Sequence, residues 1–195
     1  MSVASRPPAA GRVALVLHTH MPYVEGFGTW PFGEEWLWEA VATSYLPILG
    51  LLDDGAPLTL SLTPVLCDQL EAPGALERCR AFVRDVRPAS HRLDIDAFAA
   101  AGHPAEAAEL ERAAAEYASA LAELEGIGDD LLGRLAPHAA WTSNATHAIL
   151  PLLATDAGIR LQLQTGIVIS VAFGSIIWPS TTFRSTIVPP RGAGT

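Results

Sequence analysis

The stretch LVLHTHMPYVEGFGTWPFGEEWLWEAVATSY, from Leu15 to Tyr45, decides how the rest of the chain is interpreted. It begins within a continuous apolar run, residues 13–17, which is typical of a parallel strand covered on both faces. His18 and His20 follow at the carboxyl end of this predicted strand. Because side chains two apart on a strand point to the same side, we expect both imidazoles to face one pocket.

An aromatic loop separates these histidines from a predicted helix over residues 34–53. The loop contains Tyr23 and Trp30, and its glycines and Pro22 indicate turns. Trp36 lies in the first turn of the helix. Apolar residues recur there at helical spacing, which predicts one buried face: Leu37, Val41, Tyr45, Ile48 and Leu52.

The remaining chain alternates apolar strands with long helices, an order typical of α/β architecture. The pattern predicts strands over 13–19, 58–63 and 139–144, and further helices over 74–87, 105–125 and 148–157. Residues 88–104 are expected to be irregular, because Gly102 and Pro104 break helices. Asn144 or Thr146 is expected to cap the helix beginning near Ala148. This would bring His147 to the same strand-end surface as the first two histidines.

Composition and charge narrow the classes of function. The chain has 195 residues, half of them apolar, which suits one good core. Its net charge of −9, without a basic cluster, argues against nucleic acid and anionic membranes as partners. The 13 residues from Gly166 to Trp178 are too few to span a bilayer. Cys67 and Cys79 are expected to be buried free thiols, and without a secretory pattern the expected location is cytoplasmic.

Three motifs resemble one known family. HTHMPY at 18–23, continued by EEWLWEA at 34–40 and SYLP at 44–47, resembles the first motif region of glycoside hydrolase family 57. LTPVLCDQL at 62–70 is similar to the second strand of those enzymes. AAWTSNATHAILPLL at 139–153 resembles their second motif region, whose histidine is matched by His147. The version rich in Glu-Glu-Trp is most similar to the family's α-glucan branching enzymes.

The resemblance implies an α/β fold, an incomplete (β/α)-barrel of the family 57 type. Its N-terminal portion is expected over residues 13–164, after a disordered tail at 1–12 and before a divergent apolar tail at 165–195. The implied substrate is an α-1,4-glucan, with neither a cofactor nor a metal. The histidines would line the subsite of the attacked sugar, and the aromatic residues would contact glucose rings. The implied substrate-binding residues are His18, His20, Tyr23, Trp30, Trp36 and His147.

The agreement with the family stops beyond about Gln164. The family's nucleophilic glutamate and its acid/base aspartate lie downstream of the two motif regions, and neither has a match. No glutamate follows Glu125, and the tail is rich in Ile, Val, Ser and Thr. We therefore expect a truncation with a shifted reading frame, a β-prone tail, and no catalysis by the chain alone.

Two other hypotheses stay open from the sequence. A His-x-His at the end of a first barrel strand is also how metal-dependent amidohydrolases begin. His18, His20 and His147, with Asp68 or Asp156, would then hold zinc. The aromatic continuation has no purpose in such a site. The third hypothesis is a non-enzymatic remnant, which either contacts carbohydrate or has no function.

Overall fold

A three-stranded parallel sheet forms the centre of the computed structural model, which describes residues 11, 13–28, 33–141 and 143–172. Its strands are β1 (Leu15–Thr19), β2 (Leu58–Leu62) and β3 (Ala139–Trp141), in the order β1-β2-β3. The β1–β2 pairing is regular along the whole of both strands, whereas the register between β2 and β3 shifts near Ser61. The predicted strands are confirmed, although β3 is shorter than expected.

Helices connect the strands, as an all-parallel sheet requires. Two helices lie between β1 and β2, five lie between β2 and β3, and one follows β3 within the described part of the chain. They are α1 (Glu35–Ala40), α2 (Leu46–Asp53), α3 (Pro64–Glu71), α4 (Ala75–Ala81), α5 (Arg87–Ala100), α6 (Pro104–Ile127), α7 (Leu131–Leu135) and α8 (Asp156–Ala172).

Two π-helical turns, Val41–Tyr45 and Phe82–Val86, continue α1 into α2 and α4 into α5. Each turn ends two residues before a proline, Pro47 or Pro88. A proline lacks an N–H group and clashes with the carbonyl four residues earlier, and the wider turn changes which carbonyl lies there. The chain thus stays helical through both prolines.

The expected irregular segment 88–104 was therefore a wrong prediction. Helix α5 occupies Arg87–Ala100, and the predicted breaker Gly102 lies only in the turn between α5 and α6. Its left-handed backbone, with a φ of 82°, is a conformation that suits glycine. Pro104 begins α6, where its missing N–H has no cost.

The predicted helix over 148–157 was also wrong. A 3₁₀ turn occupies Leu150–Leu152, and α8 begins only at Asp156. The cap of α8 is Thr155, whose hydroxyl oxygen accepts a hydrogen bond of 3.1 Å from the Gly158 N–H. Asn144, one of the two expected caps, instead donates from Nδ2 to the Ala148 carbonyl at 2.6 Å.

Helix α8 runs past Gln164 to Ala172, so the strand tendency expected from Ile and Val in the tail is not realised there. Trp178 and the rest of the tail after residue 172 lie outside the described residues.

The hydrophobic core lies between the sheet and the helices. Its most deeply buried large side chains come from α1, α2, β2, α3, α6 and α7. Cys67 and Cys79 are both buried and free, as predicted. Burial raises the pKa of each thiol to about 12, so neither is a thiolate at neutral pH.

The helices of the described residues include none long and apolar enough to cross a membrane.

Candidate functional site

Three imidazoles stack together at the carboxyl end of the sheet. The ring of His147 lies 4.8 Å from that of His18 and 4.4 Å from that of His20, measured between centroids. The rings are nearly parallel, at 29° and 20°. His18 and His20 therefore face one side, as their spacing predicts, and His147 is brought to the same surface.

Strand β2 holds the first of these histidines in place. Nδ1 of His18 lies 3.0 Å from Oγ of Ser61, a hydrogen bond whose donor depends on the imidazole tautomer. The neighbouring Thr19 donates its hydroxyl to the Ser61 carbonyl at 3.1 Å. Since Ser61 is itself buried on the central strand, the carboxyl end of β1 has a fixed position relative to β2.

The environment of the stack keeps two of its imidazoles neutral at pH 7. Burial lowers the pKa of His18 below its usual value, and the nearby His147 lowers it further. The pKa of His20 is lowered by burial, by His147 and by His18. A neutral imidazole has one nitrogen that donates and one that accepts, which suits hydroxyl groups.

His147 owes its position to a strained backbone. Among the described residues, His147 is the non-glycine residue with a positive φ, which is 59°. Non-glycine residues adopt this conformation uncommonly. The loop before it is held from two sides. The Val65 N–H of α3 donates to the Ala145 carbonyl at 2.9 Å, and the Ala145 N–H donates to the Gln162 carbonyl at 3.0 Å.

Helix α8 also packs tightly against this loop. Thr146, the second expected cap, pairs through its N–H and its hydroxyl with the side chain of Gln162. At Gly166, an added Cβ would lie 2.1 Å from the Ser143 carbonyl oxygen, closer than any real contact. Only glycine therefore allows α8 to approach the strand-end loop this closely.

Buried polar atoms without a partner follow all three strands. His20 Nδ1, Thr63 Oγ1 and Asn144 Oδ1 are shielded from solvent, and none has a hydrogen-bond partner in the described part of the chain. They come after β1, β2 and β3 respectively. Buried polar groups normally find partners, so three unpartnered atoms at the ends of neighbouring strands are an unusual feature of this edge of the sheet.

Two of the aromatic residues predicted to contact glucose rings, Tyr23 and Trp36, lie at the surface. Tyr23 is 50% exposed, and its hydroxyl donates to a Glu25 carboxylate oxygen at 3.0 Å, the main cause of its raised pKa. Trp36 is also exposed, on the first turn of α1. Trp30 lies outside the described residues. An open groove of about 400 Å³ runs beside β1, lined by residues 16–20 and by Ala40, Ser44, Tyr45 and Ile48.

Gln69 is a residue that sequence reasoning missed. It lies on α3, is 1% exposed, and its carboxamide bonds the backbone of the loop that carries Tyr23. No local signal in the sequence indicates this role, because Gln69 directly follows the charged Asp68 in the motif LTPVLCDQL.

The glutamates near the histidines in sequence make contacts of their own. Glu34 binds Arg78 through two hydrogen bonds, of 2.8 and 3.1 Å. Glu39 bonds the Tyr117 hydroxyl and pairs with Arg87. These carboxylates connect helices and do not contact the imidazole stack.

The arrangement does not favour zinc. Within the described residues, no group of three or more His, Cys, Asp or Glu side chains is placed to hold a metal ion. The three imidazoles lie face to face, whereas ligands of a tetrahedral zinc converge on one point. Asp68 and Asp156, the suggested fourth ligands, are both exposed.

Comparison with known proteins gives the class of this fold. No family model matches the chain. The structure of a GH57-type branching enzyme from Pyrococcus horikoshii superposes with a TM-score of 0.70 and 31% identity, over 82% of this chain and 32% of that one. The α-amylase AmyC from Thermotoga maritima superposes with a TM-score of 0.68 at 22% identity, over 84% of this chain and 33% of that one, which shows the fold alone.

A curated relative points to the same class. The 1,4-alpha-glucan branching enzyme of Thermococcus kodakarensis is 31% identical over 174 residues, which are 80% of this chain and 24% of the relative. These comparisons show a likeness to glycoside hydrolase family 57. Within that family the chain is like the N-terminal part of a branching enzyme. It spans about a quarter of the length of this curated relative.

Proposed function

We propose that this chain is the substrate-contacting N-terminal portion of a 1,4-α-glucan branching enzyme, a retaining transglycosylase. The imidazole stack of His18, His20 and His147 contacts the hydroxyl groups of an α-1,4-glucan. Tyr23 and Trp36, together with Trp30, offer aromatic faces to the glucose rings. The observation that carries the proposal is this stack, because it brings together the three histidines that the family 57 resemblance implies for substrate binding.

The chemistry of the site supports a polyhydroxylated ligand. Each neutral imidazole has one nitrogen that donates and one that accepts, so the imidazoles of His18 and His20 can pair with sugar hydroxyl groups. Sugars have apolar ring faces as well as hydroxyl edges. Exposed aromatic side chains such as Tyr23 and Trp36 can therefore pack against the ring faces, while the imidazoles bind the hydroxyl groups. The nearby groove is open, which suits a long polymer better than an enclosed cavity would.

The sheet supports an incomplete barrel as part of this proposal. Within the described residues β1 pairs on one edge only, with β2. Its side chains Leu15 and Val16 are 54% and 42% exposed, although the apolar run is typical of a strand covered on both faces. An unpaired, apolar edge strand is a site where another strand adds, so further barrel strands fit there.

The chain alone is expected to be inactive. A retaining enzyme needs two carboxyl groups about 5–5.5 Å apart, one as nucleophile and one as acid and base. The pKa shifts of His18 and His20 come from burial and from other imidazoles, with no contribution from a carboxylate. Glu25, Glu34 and Glu39 make their own contacts elsewhere.

Amylose incubation tests this proposal. Purified chain is incubated with amylose, and new α-1,6 linkages and new reducing ends are measured. We expect neither, together with weak saturable binding of maltoheptaose that Tyr23→Ala weakens. Activity that survives purification and disappears in a Glu25→Gln, Glu34→Gln, Glu35→Gln or Glu39→Gln variant would show that the catalytic centre is misplaced.

The expected cytoplasmic location is also part of the proposal. It is supported by Cys67 and Cys79, which are both free, since reducing compartments keep thiols from forming disulfides.

A further inference from the structure

Gln69 makes three hydrogen bonds from a buried position. Its Oε1 accepts from the Val24 N–H at 2.7 Å, and its Nε2 donates to the Pro22 carbonyl at 3.1 Å. Nε2 also donates to the Val65 carbonyl one turn earlier on α3, at 3.0 Å. Both ends of the carboxamide are therefore satisfied, and its orientation on α3 is fixed.

The two loop contacts flank Tyr23. In a parallel sheet, a residue is flanked by a carbonyl before it and an N–H after it, and both bond the neighbouring strand. Gln69 supplies the same pair of contacts from a single side chain, to the Pro22 carbonyl and the Val24 N–H. Met21 and Val24 are buried on either side, while Tyr23 remains half exposed. The loop is thus anchored around one outward-facing aromatic ring.

We propose that Gln69 is a positioning residue that holds Tyr23, in the loop that follows His18 and His20, for contact with the glucan. The proposal rests on the function proposed above. Tyr23 is separated from His20 by only two residues, so the backbone that Gln69 fixes is the same backbone that follows the histidines. Without this anchor, the loop would have to order itself on binding, and the affinity for glucan would fall.

A core glutamine with a purely structural role would also destabilise the chain when replaced, so stability alone does not decide the question. The deciding observables are the protection of the Val24 amide from hydrogen exchange and the affinity for maltoheptaose. The first reports the anchor directly, without any sugar. The second reports its consequence at the site.

Gln69→Met removes both loop contacts with a side chain of similar length. We expect Val24 protection to fall about tenfold, the size expected for one lost buried hydrogen bond. Amides of β2 should keep their protection. Gln164→Met is the matched control, because Gln164 is exposed on α8, and it should change neither observable.

Gln69→Glu keeps the shape, and its protonated form is a neutral isostere of the native side chain, so at low pH it provides a second variant if the methionine variant does not fold. Its carboxylate still accepts from Val24 but offers no proton to the Pro22 carbonyl. A protonated Glu regains one donor, so Val24 protection relative to wild type should rise as pH is lowered from 8 to 5. Protection that does not change with pH in this variant, or is unchanged in Gln69→Met, would overturn the anchor.

Maltoheptaose titration completes the test. We expect Gln69→Met to weaken binding about as much as Tyr23→Ala does, and the double variant to lose little more, since both changes act through one contact. Full affinity in Gln69→Met, with weak binding in Tyr23→Ala, would overturn the positioning role. If wild-type chain does not bind maltoheptaose, the proposed function fails and the glucan role of Gln69 fails with it, whereas Val24 exchange still shows whether Gln69 holds the loop.

Discussion

Strands β1 and β2 pair side by side but have different surroundings. The continuous apolar run that leads into β1 predicts burial on both faces of a parallel sheet, whereas β2 alternates leucine with Thr59 and Ser61. In β2, Leu60 is 0% exposed and Leu62 is also buried. In β1, Leu15 and Val16 are largely exposed, and one edge has no partner strand within the described residues.

The difference shows which strand of the sheet is paired and covered by the described residues and which is not. The central strand has neighbours on both edges, and its residues Leu60, Ser61 and Leu62 are buried. The edge strand has the sequence of a central strand without the surroundings of one. Its exposed apolar residues Leu15 and Val16 mark the edge of the sheet where the described residues provide no cover.

The largest effect is expected from the matched pair Leu60→Ala and Leu15→Ala. Truncating fully buried Leu60 leaves a cavity in the core, so the free energy of unfolding should fall by about 2–5 kcal/mol. The same truncation at exposed Leu15 should cost less than about 1 kcal/mol, because solvent already reaches the side chain. Urea denaturation measures both. Equal losses would show that β1 is covered in solution and would break the comparison.

The loop after β3 gives a second, smaller effect. Gly166→Ala places a Cβ against the Ser143 carbonyl, so the free energy of unfolding should fall by about 1–3 kcal/mol. The matched control is Gly126→Ala on α6, where an added Cβ meets nothing within 4 Å. That change should stabilise by roughly 0.5–1 kcal/mol. A neutral Gly166→Ala in thermal unfolding would mean that α8 does not pack against this loop.

The smallest effect is a pH dependence at the end of β1. The pKa values of His18 and His20 are lowered from 6.5 in the folded chain, so the unfolded chain binds protons first as pH falls. Stability is therefore full above about pH 6.5 and declines below it, until pH passes the folded-state values.

Chemical denaturation across pH 5–8 measures this decline. A His18→Gln/His20→Gln variant should lose most of the dependence. His103→Gln is the control, because His103 pairs with Glu106 at an exposed position outside the stack. If the double variant keeps the full wild-type slope, the imidazole stack is not its source.

Much of the fold was predictable because periodicity reports burial. The strand positions and the helices near 34–53 and 105–125 follow from apolar spacing alone. The prediction that residues 88–104 are irregular relied on their proline and glycine and was wrong, because a π-helical turn before Pro88 lets the helix continue. The helix expected at Ala148 is absent because neither predicted cap acts as one: Asn144 donates to the nearby Ala148 carbonyl, and Thr146 pairs with Gln162 on α8.

The site was predictable only in part. The i, i+2 spacing places His18 and His20 on one side, but the stack with His147 depends on a positive φ that no local sequence rule requires at a histidine. The role of Gln69 depends on partners 45 and 47 positions away in sequence. Such contacts are a property of the packed fold, so no local pattern could have indicated them.

The most direct test of the central claim is a maltoheptaose titration of the chain. NMR of the imidazole protons measures how each of the six histidines responds. The account predicts that the signals of His18, His20 and His147 shift together along one saturable curve. Those of His91, which packs against Tyr117, and of exposed His103 should stay unchanged. Saturable binding that leaves the three stacked imidazoles unshifted, or that shifts His91 and His103 equally, would contradict the claim that the glucan binds at this end of the sheet.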